Sequence, residues 1–144
     1  MKKLIKGMLF VSFLTLFTAC DKESVLDANK IPQEITNYIN THFTSHQILQ
    51  VVEDLDGFTK TYDVVLDNNT VLEFNRKKEV TEIKSTSKLP DSVIPVKISQ
   101  YVESNFPGNY INEWELEDKH QQVGIDNGLD LEFTLSGDFI RIDD

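Results

Sequence analysis

Ile31-Pro32-Gln33-Glu34-Ile35-Thr36-Asn37-Tyr38-Ile39-Asn40-Thr41-His42-Phe43 returns 63 residues later as Ile94-Pro95-Val96-Lys97-Ile98-Ser99-Gln100-Tyr101-Val102-Glu103-Ser104-Asn105-Phe106. What recurs is the proline and the apolar positions at i, i+4, i+7, i+8 and i+12, which form one face of a helix. Proline fits the first helical turn, where the N–H it lacks would have no partner anyway. After each copy the sequence turns strand-like. In the first unit the spacing predicts strands over 47–55, 58–66, 71–76 and 79–84, and in the second over 110–116, 122–125, 129–135 and 138–142. Leu72-Glu73-Phe74 returns as Leu131-Glu132-Phe133 at an offset of 59, so the second copy lacks four residues between its first and second strands. A unit that repeats at such a period is one supersecondary block used twice.

The expected class is α+β. Two tandem helix-plus-four-strand repeats, about 31–84 and 89–144, should form an antiparallel sheet of about eight strands with both helices on one face. Tyr62, Val64, Leu72 and Phe74, with Val123, Ile125, Leu131 and Phe133, should point toward the helices. Tyr38, Phe43, Tyr101 and Phe106 should anchor the helices to the sheet.

The N-terminus carries an address. Lys2, Lys3 and Lys6 precede an apolar run from Met8 to Phe17, too short to span a bilayer and typical of a signal peptide over 1–19. Phe17-Thr18-Ala19-Cys20 resembles a bacterial lipobox, although Phe17 stands where leucine is commoner. The resemblance implies cleavage before Cys20 and its lipidation, and the expected place is the bacterial envelope, on the outer membrane, facing periplasm or cell surface. Residues 20–30 read as a flexible tether. Asp21-Lys22-Glu23 resembles the acidic export signals of Bacteroidetes surface lipoproteins. Cys20 is the only cysteine, which rules out an intrachain disulfide and a cysteine zinc site.

The net charge is −10 and the three signal lysines leave with the leader. Nucleic acid is excluded as a partner, because phosphates require a basic patch. Membrane contact is expected through the lipid alone. The acidity serves solubility as well as any partner of basic character.

The Ile-Pro helix openings, the Tyr-[Ile/Val]-x-x-x-Phe helix ends and the Leu-Glu-Phe strands resemble the PepSY-like, beta-lactamase-inhibitor-like lipoproteins of Bacteroidetes over about 31–142. That resemblance implies an α+β fold whose open sheet face grips a protein. Related domains sit in protease propeptides and restrain peptidases, which makes inhibition of a peptidase or another envelope enzyme a candidate role that the resemblance does not itself imply. Its motifs are structural and imply no activity by themselves.

No catalytic constellation is legible, and an enzyme is not expected. His42 and His46 stand four apart but at a helix end and without a third ligand, so no metal or cofactor is assigned. Asp54-Leu55-Asp56-Gly57 lacks the closing glutamate of a calcium loop and reads as a turn. Trp114 admits two placements: parity opposite Ile111 puts it on the open face, and a bulge between them would bury it. The candidate partner surface is the open face. Strand alternation assigns to it Asp63, Val65, Val71, Glu73 and Asn75 in the first unit. In the second it assigns Asp130, Glu132 and Thr134, with Trp114 on the first of its placements. These residues are acidic in both units and nearly free of Lys and Arg. An unknown basic envelope protein or, alternatively, a weakly held divalent cation on an accessory lipoprotein would offset their repulsion.

Overall fold

A computed structural model describes residues 22–143. The signal segment and Cys20 lie outside the described residues. The strands are β1 (Lys22–Val25), β2 (Ile48–Asp56), β3 (Thr59–Leu66), β4 (Val71–Phe74), β5 (Val80–Lys84), β6 (Ile111–Leu116), β7 (His120–Ile125), β8 (Asp130–Thr134) and β9 (Phe139–Asp143). They form one nine-stranded sheet in sequence order, antiparallel at every neighbour. Helix α1 (Gln33–His42) follows β1, and α2 (Val96–Asn105) lies between β5 and β6. The ninth strand is β1. Its residues have tether-like composition, yet they pair with Val52–Leu55 of β2.

Each helix begins directly after its proline and buries two isoleucine or valine side chains, Ile35 and Ile39 in α1, Ile98 and Val102 in α2. Each ends where the N–H of the next phenylalanine still bonds back, Phe43 to Ile39 and Phe106 to Val102. Both helices lie on the same sheet face. Tyr38 meets Phe74 edge-on at 5.5 Å, and Tyr101 meets Phe133 edge-on at 5.4 Å. The inward residues expected from strand alternation are all buried in one continuous core. The helix anchors are less uniform. Phe43 is buried, whereas Tyr38, Tyr101 and Phe106 are half-buried, so Phe106 is a rim residue.

The duplication reaches irregular features, which no generic sheet would reproduce. Short 3-10 turns at Ala28–Lys30 and Asp91–Val93 precede the two helices, 63 residues apart. The first strand of each unit bulges at matching places, between Ile48 and Gln50 and between Ile111 and Glu113. The last pairing of each unit bulges between Glu73 and Phe74 and between Glu132 and Phe133. Left-handed backbone recurs at Asn69 and Gly128, and at Lys78 and Gly137. The four missing residues shorten the β6–β7 hairpin relative to β2–β3. In the first unit the strand continues through Asp54 and Asp56, and the chain reverses only at Gly57, where φ is 58°. Asp54 is therefore a strand residue rather than part of a turn.

Trp114 takes the second of its two placements. The bulge between Ile111 and Glu113 restores parity, and Trp114 pairs with Ile83 and Val123 on the helix-covered face. It is 8 % exposed, and its indole N–H donates to Gln121 Oε1 at 3.0 Å. Gln121 in turn donates to the Thr134 carbonyl, so the buried polar atoms are paired. Trp114 is core and leaves the candidate surface.

Candidate functional site: an acidic row on the open sheet face

The strand registers place four carboxylates abreast on the uncovered face. Asp63 of β3 opposes Glu73 of β4, Glu73 opposes Glu82 of β5, and Glu82 opposes Glu115 of β6. Directly opposed residues in antiparallel strands have Cβ atoms about 4.5–5.5 Å apart, and like charges there destabilise the pair. All four are half-buried. The Asp63 carboxyl is pushed up first by desolvation, then by the charges of Glu73, Asp54, Glu82 and Glu23. Glu115 is pushed up by desolvation and then by Glu82 and Glu117. Asp54 extends the acidic surface across β2, and its Oδ1 is buried without a hydrogen-bond partner among the described residues. A buried, unpaired acceptor costs free energy that a ligand could recover.

Sequence reasoning reached part of this row. Asp63 and Glu73 stand where alternation places them, with Val65 and Val71 beside them. Glu82, Glu113, Glu115 and Asp54 were not legible. Their facing depends on the β5–β6 register and on the bulge before Glu113, and neither has a clear local signature. The expectation that the face is nearly free of basic residues needs correction, because Lys84 and Arg141 both belong to it. Lys84 Nζ contacts Glu82 and also Glu113, the latter at 3.1 Å. Its pKa is raised, chiefly by the bond to Glu82. Glu82, Glu113 and Glu115 each offer an oxygen within 4.8 Å of the others.

The second unit ends differently. Glu132, the counterpart of Glu73, opposes Arg141, the counterpart of Glu82. Arg141 donates from Nε and Nη2 to the two Glu132 oxygens, both at 2.7 Å. His120 Nε2 lies 3.7 Å from the same carboxylate. The Glu132 carboxyl is held below the usual range, chiefly by the Arg141 bond. Bidentate guanidinium–carboxylate pairs are the strong form of such contacts. Asp130 neighbours Gly124 and Asp143 across the sheet.

Asn75 and Thr134 hold turns. Asn75 Oδ1 accepts the N–H groups of Lys77 and Glu79, and Thr134 Oγ1 accepts that of Asp138. The two histidines four apart do not converge. His42 Nδ1 meets Ser92 Oγ, while His46 Nδ1 meets Asp67 Oδ1.

The chain is thus a two-helix, nine-strand antiparallel sheet with one face bare. The profile of the beta-lactamase-inhibitor-like, PepSY-like family matches residues 17–58 and 60–141, and the chain belongs to that family. Similar solved structures include the following three. One, from Bacteroides thetaiotaomicron, is provisionally described as a calcium-regulated periplasmic protein; it is 26% identical, with TM-score 0.80, covering 85% of this chain and 97% of its own. A second, from Bacteroides vulgatus ATCC 8482, is assigned to the DUF2874 family and provisionally to the periplasm; it is 30% identical, with TM-score 0.79 and coverage of 87% and 99%. A third from the same organism has unknown function; it is 32% identical, with TM-score 0.80 and coverage of 85% and 100%. No curated protein sequence matches the chain. Among the described residues, no helix is long and apolar enough to cross a membrane.

Proposed function

We propose that this protein is a non-catalytic binding module of the bacterial envelope, and that its open face takes a cationic surface of another protein. The carrying observation is the row Asp63–Glu73–Glu82–Glu115, whose opposed carboxylates disfavour the free state. A partner presenting Lys or Arg would relieve that repulsion and gain charge-assisted hydrogen bonds. An envelope enzyme such as a peptidase, inhibited by the contact, fits the family resemblance. Anchoring by lipid at Cys20 on the outer membrane, toward periplasm or cell surface, rests on the signal and lipobox sequence. Cys20→Ala should abolish partition into detergent, and unchanged partition would remove the anchor from the account.

A second reading is supported by the oxygen cluster of Glu82, Glu113 and Glu115 and by the calcium-regulated description of one similar structure. Hard oxygen donors suit a divalent cation such as Ca²⁺. The Lys84 ammonium now bridges two of them, so a cation would have to displace it. One experiment separates the readings. The parent and a variant with Glu73, Glu82 and Glu115 all changed to Gln are titrated with a Lys-rich peptide and, separately, with Ca²⁺. Salt-sensitive peptide binding lost in the variant supports the protein-binding reading. A Ca²⁺-driven rise in Tm lost in the variant supports the cation reading. Equal responses of parent and variant to both would dismiss the row as the site.

A further inference from the structure

We infer that the two ends of the sheet are complementary, and that β9 of one copy pairs with β2 of a second copy, repeating between molecules the β5–β6 junction that already exists inside the chain. Within the chain, β5 joins the units through Glu82↔Glu115, Ile83↔Trp114 and Lys84↔Glu113. By the offset of 59, β9 is the counterpart of β5, and by the offset of 63, β2 is the counterpart of β6. The outer edge of β9 is thus the edge by which β5 holds β6, and nothing covers it among the described residues.

Both edges carry the apolar surface such a junction needs. On β9, Ile140 is 47% and Ile142 42% exposed. Arg141, the one cation on the strand, is turned back onto Glu132 and does not guard the edge. The bulge at Ile140 is no obstacle, because β5 has the same bulge at Thr81 and still pairs with β6. At the opposite end of the sheet, Leu49 of β2 is 66% exposed. A cavity of about 300 Å³ lies beside it, lined chiefly by Leu26, Ile31, Ile48, Leu49 and Val51. In the second unit the counterparts of Gln50 and Val51, Glu113 and Trp114, are covered by β5.

Transferring the internal register gives Arg141↔Val52, Ile142↔Val51 and Asp143↔Gln50 between copies. The like-charged Glu82↔Glu115 pair has no counterpart there, and Ile142 against Val51 replaces Ile83 against Trp114. Strand β1 already reaches two of these three residues and leaves Gln50 open. Its register covers Val52 to Leu55, and it meets the transferred register at the Val25↔Val52 pair and at the Leu26 N–H bond to the Val51 carbonyl. Pairing therefore displaces the end of β1, the exposed Val25 and also Leu26, which packs against the core. Such a contact is head-to-tail, so one end of every assembly keeps β1 on β2 and the other keeps an uncovered β9.

The test uses the full chain and two surface variants, Leu49→Lys and Ile142→Lys, with circular dichroism to confirm folding. Sedimentation of the parent should show association that grows with concentration. Either variant alone should be monomeric. An equimolar mixture of the two should form dimers and nothing larger, because each variant retains the edge the other lost. Hydrogen exchange on the unsubstituted chain gives an independent reading: amides over 49–52 and 140–143 should slow together as concentration rises. A monomeric parent at millimolar concentration, a Leu49→Lys variant that associates like the parent, a mixture that stays monomeric, or exchange independent of concentration would overturn the inference.

Discussion

The last pairing of each unit occupies the same place in the same fold and carries opposite electrostatics. In the first unit Glu73 opposes Glu82, and in the second Glu132 opposes Arg141. Backbone, bulge and underlying core are alike, with Phe74 and Phe133 both fully buried beneath these pairs. What differs is Glu82 against Arg141 and, two residues on, Lys84 against Asp143. The second unit pairs its glutamate with the facing arginine, whereas in the first Glu73 and Glu82 face each other beside Asp63 and Glu115, with Lys84 bound to Glu82 from the flank. A scaffold that tolerates a neutralised arrangement in one copy does not require a repulsive one in the other. We propose that the repulsion in the first unit is a local cost retained for a ligand.

The largest expected effect asks whether the units are equivalent below the surface. Phe74→Ala and Phe133→Ala should each cost about 3–5 kcal/mol in denaturant unfolding, as for buried aromatics in general. A markedly smaller cost at one of them would mean that the units differ in their cores as well as in their charges. Next comes Arg141→Glu, which would turn the second unit into a copy of the first. It leaves Glu132, only 8 % exposed, facing another carboxylate, and should destabilise the chain. A melting temperature equal to the parent's would show that the ion pair is idle.

The pH dependence should split between the acidic row and the paired carboxylates of the second unit. Asp63 and Glu115 have raised carboxyl pKa values, so their contribution is fully present below the unfolded-state pKa and is lost as pH rises through the folded-state value. Glu132, Asp126 and Asp138 have lowered values, so theirs is present above the unfolded-state pKa and is lost as pH falls through the folded-state value. Changing Glu73 and Glu82 to Gln should flatten the decline on the rising-pH side. The part of it due to desolvation of Asp63 should remain. The smallest effect is Glu82→Gln alone, a gain of about 0.2–1 kcal/mol if relief of the cross-strand repulsion outweighs the lost contact with Lys84. A net loss in chemical denaturation would assign Glu82 a supporting role instead.

The sequence made the fold legible because the repeat shows twice where each apolar residue goes. The helix face, Tyr62 through Phe74 and Val123 through Phe133 could be read from periods of 3.6 and 2. Strand β1 could not, since Lys22-Glu23-Ser24-Val25 has tether composition and is held only by pairing with β2. The site was half legible. Asp63 and Glu73 sit on an uninterrupted alternation, whereas Glu82, Glu113 and Glu115 depend on a register between distant strands and on a bulge. That same bulge decided Trp114, whose neighbours Glu113 and Glu115 take the open face because Trp114 does not.

The most direct test of the central claim is the melting temperature of the Glu82→Arg variant, with and without Ca²⁺ or a Lys-rich peptide. The substitution gives the first unit the pairing of the second, with the new guanidinium between Glu73 and Glu115. The account predicts a variant more stable than the parent without ligand, and a ligand-driven rise in Tm that shrinks or disappears. A variant that is less stable, or that keeps the parent's full response, would contradict it.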